Sequence, residues 1–170
     1  MLRTAAPQDE VPEPARWSGL THRFHELIMQ RYPNAQLTVN MCKGFKEQYG
    51  FVSDVKDRVE VMIPVDGTPT PHDITLQLKM ACDLLVPPII EGIRKLVSSF
   101  NPEFQEKLRN NILLSGGGGM LDGLNKRIED AMKVIGGGRV TTVEEPLYAG
   151  ADGALRLAMD MPGEYWQQLR

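Results

Sequence analysis

The stretch NILLSGGGGMLDGLNKRIEDA, Asn111 to Ala131, holds four consecutive glycines, Gly116 to Gly119, between two differently patterned flanks. Before them stands Ile112-Leu113-Leu114, a short apolar run of the kind found in buried strands. After them Leu121, Leu124, Ile128 and Met132 recur at helical spacing. A flexible linker gives no reason for ordered flanks, so the stretch reads as strand, tight glycine turn and helix. Glycines there clear the backbone of side chains, which suits a turn that is merely tight or a ligand lying flat against main-chain groups. The residues by themselves leave both readings open.

Outward from this stretch, helices alternate with short strands. Residues 1–20 carry three prolines and several charges with little apolar content, so they are expected to be a disordered leader. Thr21 is read as the cap of a helix whose apolar face is Phe24, Leu27 and Ile28, stopped by Pro33. A second helix is expected from about Leu37 to Tyr49, with Gly50 in a left-handed cap. Val59, Val61, Ile63 and Val65 mark one face of a strand, after which DGTPTPHD, Asp66 to Asp73, reads as a break. A helix from Asp73 or Thr75 through Leu85 restarts at Pro87-Pro88, because neither proline supplies a backbone donor. PEFQEKL, Pro102 to Leu108, is a short helix, Gly136 to Gly138 a helix stop, and RVTTV, Arg139 to Val143, a strand. A last helix runs from about Tyr148 to Met159, its early Ala and Gly residues permitting close packing. This pattern predicts an α/β fold with three parts: the leader, a smaller lobe over 21–72 and a larger α/β lobe over 73–170.

Composition narrows the function. The chain has 170 residues, Lys+Arg 19 against Asp+Glu 22, and a net charge of -3, so it offers no broad attraction for nucleic acid or anionic lipid. No stretch approaches the roughly 18 apolar residues of a membrane span, and the N-terminus lacks the apolar centre of a secretory signal. Cys42 and Cys82 sit in helical patterns, where a small buried hydrophobe is the plainest reading. These features suit a reduced, cytoplasmic protein. His22 and His25 have metal-compatible spacing but no completing ligands, so no metal site is assigned. Ser115 has no histidine placed to activate it, so no catalytic residue is assigned. The face Lys126 to Asp130 reads as a solvated helix side with i,i+3 and i,i+4 pairing.

The glycine run also fails two phosphate motifs. A Walker loop needs Gly-Lys-Ser/Thr where Met120-Leu121 stands, and the dinucleotide fingerprint needs a sixth-position glycine that neither register supplies. It resembles instead the adenosine motif of the actin superfamily, in which a strand ending in Ser or Thr leads to Gly-Gly, a small residue and a helix. KEQYGFV, Lys46 to Val52, is similar to that family's helix end, whose Lys-Glu pair reaches adenine and ribose. VEEPLYAGADGALRLA, Val143 to Ala158, is similar to the closing segment of bacterial actins. From about His22 to Leu169 the chain resembles the C-terminal half of filament-forming bacterial actins. YPNAQLTVNM and EEPLYAGADGALRLAMDMP carry the closer likeness within that group.

The resemblance implies the C-terminal half of an actin-like (ribonuclease H-like) ATPase fold, an incomplete sheet flanked by helices. It places Gly116, Gly117 and Gly118 against the adenosine and α-phosphate side of ATP or ADP. Met120 and Leu121 come beside the base, Glu47 at the ribose, and the stem of Lys46 over the base. The family's two Asp-x-Gly phosphate hairpins find no match, so Mg²⁺ and hydrolysis are expected only with a completed site. The implied partners are full-length actin-like filament subunits or further copies of the chain. The implied role is binding or modulating such cytoskeletal filaments. The alternative is a fragment of an ATP-hydrolysing filament former whose N-terminal half is missing or supplied in trans.

Overall fold

In a computed structural model, residues 17–55 and 57–167 are described, so most of the expected leader lies outside the described residues. The chain divides into two compact units between Leu96 and Val97.

The first unit is built around α1 (Trp17–Arg31), which packs on α2 (Val39–Tyr49) and α3 (Thr75–Asp83). Leu20, Phe24 and Ile28 of α1 are fully buried, together with Cys42 of α2 and Leu78, Ala81 and Cys82 of α3. Burying each large side chain of this kind stabilises the fold by roughly 1.5–3 kcal/mol. Both cysteines are thus core residues, as their patterns suggest. Thr21 differs from expectation: α1 begins four residues before it, and its buried hydroxyl faces Lys46 instead of capping the helix. Residues 17–20, assigned to the leader from sequence, are the first turn of this helix. The cap of α2 is Thr38, which accepts from the Met41 amide at 3.2 Å. Gly50 is extended, with φ -60 and ψ 133, not left-handed. Its N–H closes the helix on the Lys46 carbonyl at 2.9 Å, and the chain leaves directly in an extended path to buried Phe51 and Val52.

The segment read as a break is a strand. Strand β1 (Glu60–Val65) pairs antiparallel with β2 (Thr68–Asp73), joined by Asp66-Gly67 with φ 51 and 78. Two positive φ values define the type I′ turn whose twist matches a hairpin. Pro69 and Pro71 are tolerated because they alternate with the hydrogen-bonded positions of the ladder, facing its outer edge. The other edge of β1 is used as well, since the Pro64 carbonyl accepts from the Gln36 amide at 2.7 Å. Asp73 starts α3, its carboxylate accepting from the Thr75 amide at 3.0 Å and the Thr75 hydroxyl at 2.6 Å. Helix α4 (Val86–Ser98) restarts with Pro87 and Pro88 in its first turn, as expected, and the division between units falls within it.

In the second unit α5 (Pro102–Arg109) precedes β3 (Ile112–Leu114), a 3-10 turn over Gly117–Met120 and α6 (Leu124–Met132). A further 3-10 turn (Lys133–Ile135) ends before Gly136, and β4 (Val140–Thr142) pairs parallel with β3. Leu121, Leu124, Ile128, Met132 and Val140 form the core, with α6 against β4. All four apolar positions picked out after the glycines are buried. Glu129 departs from the solvated-face reading, because its Oε1 accepts from the Val140 amide at 2.8 Å and ties α6 to β4. Helix α7 (Ala149–Asp160) has no buried residue, so among the described residues nothing packs closely on its small side chains. Helix α8 (Gly163–Gln167) was not anticipated.

Candidate functional site

Each of the four glycines has its own physical reason. Gly116 has φ 79 and ψ 174, a conformation that is essentially reserved for glycine. It turns the chain sharply after β3, its N–H donating to the Pro146 carbonyl at 2.7 Å while the Ser115 hydroxyl donates to the same oxygen at 3.3 Å. Gly119 is buried, and a Cβ there would stand 3.3 Å from the Leu114 carbonyl carbon. These two are explained by the fold. Gly117 is different: it is exposed, and a Cβ would meet only Leu147 Cδ2 at 3.7 Å, an ordinary contact. Half-buried Gly118 accepts from the Leu121 amide at 3.3 Å, completing the turn.

The residues placed beside a base separate. Met120 is 57% exposed beside the turn, whereas Leu121 is 7% exposed and belongs to the core with Leu124. Glycine turn, Met120 and Leu121 lie in the second unit; Lys46 and Glu47 lie in the first.

Within the first unit the Lys-Glu pair also separates. Glu47 is exposed on α2, with Lys43 3.9 Å away. Lys46 is 1% exposed, and its Nζ donates to Thr21 Oγ1 at 2.5 Å. Burial pushes its amine down from 10.5 to about 8, against the weaker pull of Cys82 and Glu47 in the opposite direction. The amine therefore faces into the unit while the neighbouring carboxylate faces solvent. Sequence reasoning had no signal for this, because a lysine inside an amphipathic helix reads as exposed. The same unit carries a cleft lined by Arg31, Tyr32, Ala35, Val65 and His72, which no motif announced. Arg31 there donates to Gln77 at 3.3 Å and lies over the Tyr32 ring. His25, considered for metal, donates from Nε2 to the Leu37 carbonyl at 3.1 Å and fastens α1 to the approach to α2.

The mixed α/β fold, with its small incomplete sheet and flanking helices, is that of an actin-like protein, of which this chain corresponds to the C-terminal half. The chain matches no family profile. Its homologues are the bacterial actin-like MamK and MamK-like proteins. It is 36% identical over 163 residues to the actin-like protein MamK of Paramagnetospirillum magneticum, covering 96% of this chain and 47% of that protein. To the MamK of Magnetospirillum gryphiswaldense it is 36% identical, covering 45% of that protein. A MamK-like protein of Paramagnetospirillum magneticum is 29% identical over 98% of this chain. The chain thus spans about half the length of the curated relatives it matches. Among solved structures, a MamK double helical filament superimposes with TM-score 0.81 and 36% identity over 84% of this chain and 44% of its own. A non-polymerising MamK mutant bound to AMPPNP gives TM-score 0.80 and 33% identity over 91% of this chain and 50% of its own.

Proposed function

We propose that this chain is a partial actin-like cytoskeletal protein of the MamK type that binds or modulates magnetosome-associated filaments and retains the adenosine side of a nucleotide site. The observation carrying this reading is the glycine turn, exposed at Gly117 and Met120, in a chain related to MamK along nearly its whole length. Gly116 to Gly118 offer main-chain surface to the adenosine and α-phosphate, Met120 lies beside the base, and Glu47 offers a carboxylate to the ribose. Leu121 supports the turn from the core. Lys46 would act on a base through its stem after its amine turns from Thr21. The relative bound to AMPPNP supports nucleotide as the ligand class.

No catalytic residue and no metal ligand is assigned in this chain. Mg²⁺ and γ-phosphate chemistry belong to the other side of a completed site, so the second reading is a part of an ATP-hydrolysing filament former. The partners are filament subunits of the same type or further copies, and the place of action is the cytoplasm. Among the described residues no helix is long and apolar enough to cross a membrane.

Titration with ADP, followed by amide resonances, tests the site. Saturable shifts at Gly117, Gly118 and Met120 are expected, and Gly117→Val should weaken binding about tenfold by placing methyl groups where the ligand lies. Because φ at Gly117 is not positive and a Cβ there meets only the end of the Leu147 side chain at 3.7 Å, that variant is expected to keep the fold, which its circular dichroism spectrum checks. Shifts absent from this turn, or binding unchanged in Gly117→Val, would reject the assignment.

A further inference from the structure

We infer that the cleft beside Arg31 is a binding site for a small carboxylic acid with an apolar body, taken up as its carboxylate. The cleft has a volume of about 290 Å³ and is lined by residues 31–35 together with Val65 and His72. Small-molecule sites start at about this size and share its make-up, apolar walls with a few fixed polar groups. Its sides are tied to one another within the first unit. Ala35 bridges Val65, the Gln36 amide donates to the Pro64 carbonyl at 2.7 Å, and the Tyr32 hydroxyl donates to the Asp73 carbonyl at 3.0 Å. The concavity is therefore made by bonds among the residues that line it and their immediate neighbours.

The side chains around the cleft also hold one another in place. Arg31 Nη1 donates to Gln77 Oε1 at 3.3 Å, and its guanidinium carbon stands 5.3 Å from the centre of the Tyr32 ring. That ring meets His72 edge-on, with centroids 4.4 Å apart. His72 Nε2 shares a hydrogen bond with Thr70 Oγ1 at 2.9 Å, and the Thr70 hydroxyl donates to the Ile63 carbonyl at 3.2 Å. A guanidinium has five N–H donors in a flat fork, so the bond to Gln77 leaves Arg31 others to offer. Side chains fixed before a ligand arrives lose little freedom in binding it.

Charge decides the head of the ligand. Of the lining residues Arg31 alone is charged at every ordinary pH, and no carboxylate is among them. The nearby Asp73 carboxylate is engaged by the Thr75 amide and hydroxyl. A single guanidinium suits a single negative charge, and a carboxylate matches its fork with two parallel bonds. Pro33, Ala35 and Val65 supply the apolar wall, so the rest of the ligand is small and apolar. This site lies in the first unit and stands apart from the nucleotide reading.

The test is titration of the 170-residue chain with benzoate at constant ionic strength, followed by amide resonances. Saturable shifts are expected at Tyr32, Ala35, Val65 and His72, with a dissociation constant of about 1 mM, the scale open to so small a ligand. Benzamide keeps the ring and loses the charge, acetate keeps the charge and loses the ring, and each should bind about tenfold more weakly. Arg31→Met keeps much of the stem and should weaken benzoate about tenfold with the circular dichroism spectrum unchanged. Shifts that do not saturate in the cleft overturn the inference, as does benzamide or acetate binding as well as benzoate. Benzoate binding indifferent to Arg31→Met overturns it too. Perturbation of these residues only when a MamK filament subunit is added would also overturn it, giving the cleft to a protein partner.

Discussion

Gly116 and Gly117 are adjacent in sequence yet make opposite demands, and substitution separates them. Alanine at Gly116 meets no neighbour within 4 Å, but must hold φ near 79, so Gly116→Ala is expected to cost about 1–3 kcal/mol in denaturant unfolding. Gly117→Ala should stay within about 0.5 kcal/mol of the parent. Equal effects would show that the four glycines act only as a tight turn. Lys46 gives a second residue-level prediction. Its folded pKa of about 8 lies below its ordinary 10.5, so above pH 8 the unfolded chain binds more protons than the folded one. Lys46 alone should therefore add about 1 kcal/mol of stability between pH 8 and 9. The thiols of Cys42 and Cys82 act with the opposite sign, because burial raises them from 9.0 to about 12 and about 11. Their contribution is lost progressively from about pH 8 upward: by pH 9 the two thiols together offset roughly 0.7 kcal/mol, and beyond it they outweigh Lys46, so stability should crest near pH 9 and then fall. Urea titrations at stepped pH check this, and in Lys46→Met the small net rise between pH 8 and 9 should become a fall of about 0.7 kcal/mol.

At the level of elements, the legible parts were those whose side chains face one way. The helix after the glycines could be read because Leu121, Leu124, Ile128 and Met132 share the buried side. Strand β2 was hidden because prolines at 69 and 71 look like interruptions, and only the hairpin register shows that they miss the ladder bonds. Glu129 was hidden for a related reason: a carboxylate in a charged run gives no sign that it will reach the amide of a strand 11 residues on. Removing it leaves the Val140 N–H without that acceptor in a buried position. Glu129→Ala should cost about 1–3 kcal/mol and speed exchange of the Val140 amide, whereas Glu129→Gln retains an acceptor and should lose less. Unchanged exchange in the alanine variant would deny Glu129 its part in holding β4 to α6.

Across the whole molecule, kinship was more legible than the site. Three separated segments, around Lys46, Gly116 and Pro146, agree in order with the actin superfamily, and chain order survives in sequence. Site geometry does not: Leu121 turns into the core, and the Lys46 amine turns toward Thr21. Both depend on neighbours distant in sequence or on a helix phase that spacing alone leaves open. Engagement of actin-like filaments of the MamK type is the property proposed for this chain as a whole. Its most direct test is co-sedimentation with polymerised MamK, with nucleotide present and light scattering recorded in parallel. The chain is expected to enter the pellet saturably or to alter the assembly time course. A chain that remains in the supernatant and leaves assembly unchanged would contradict it.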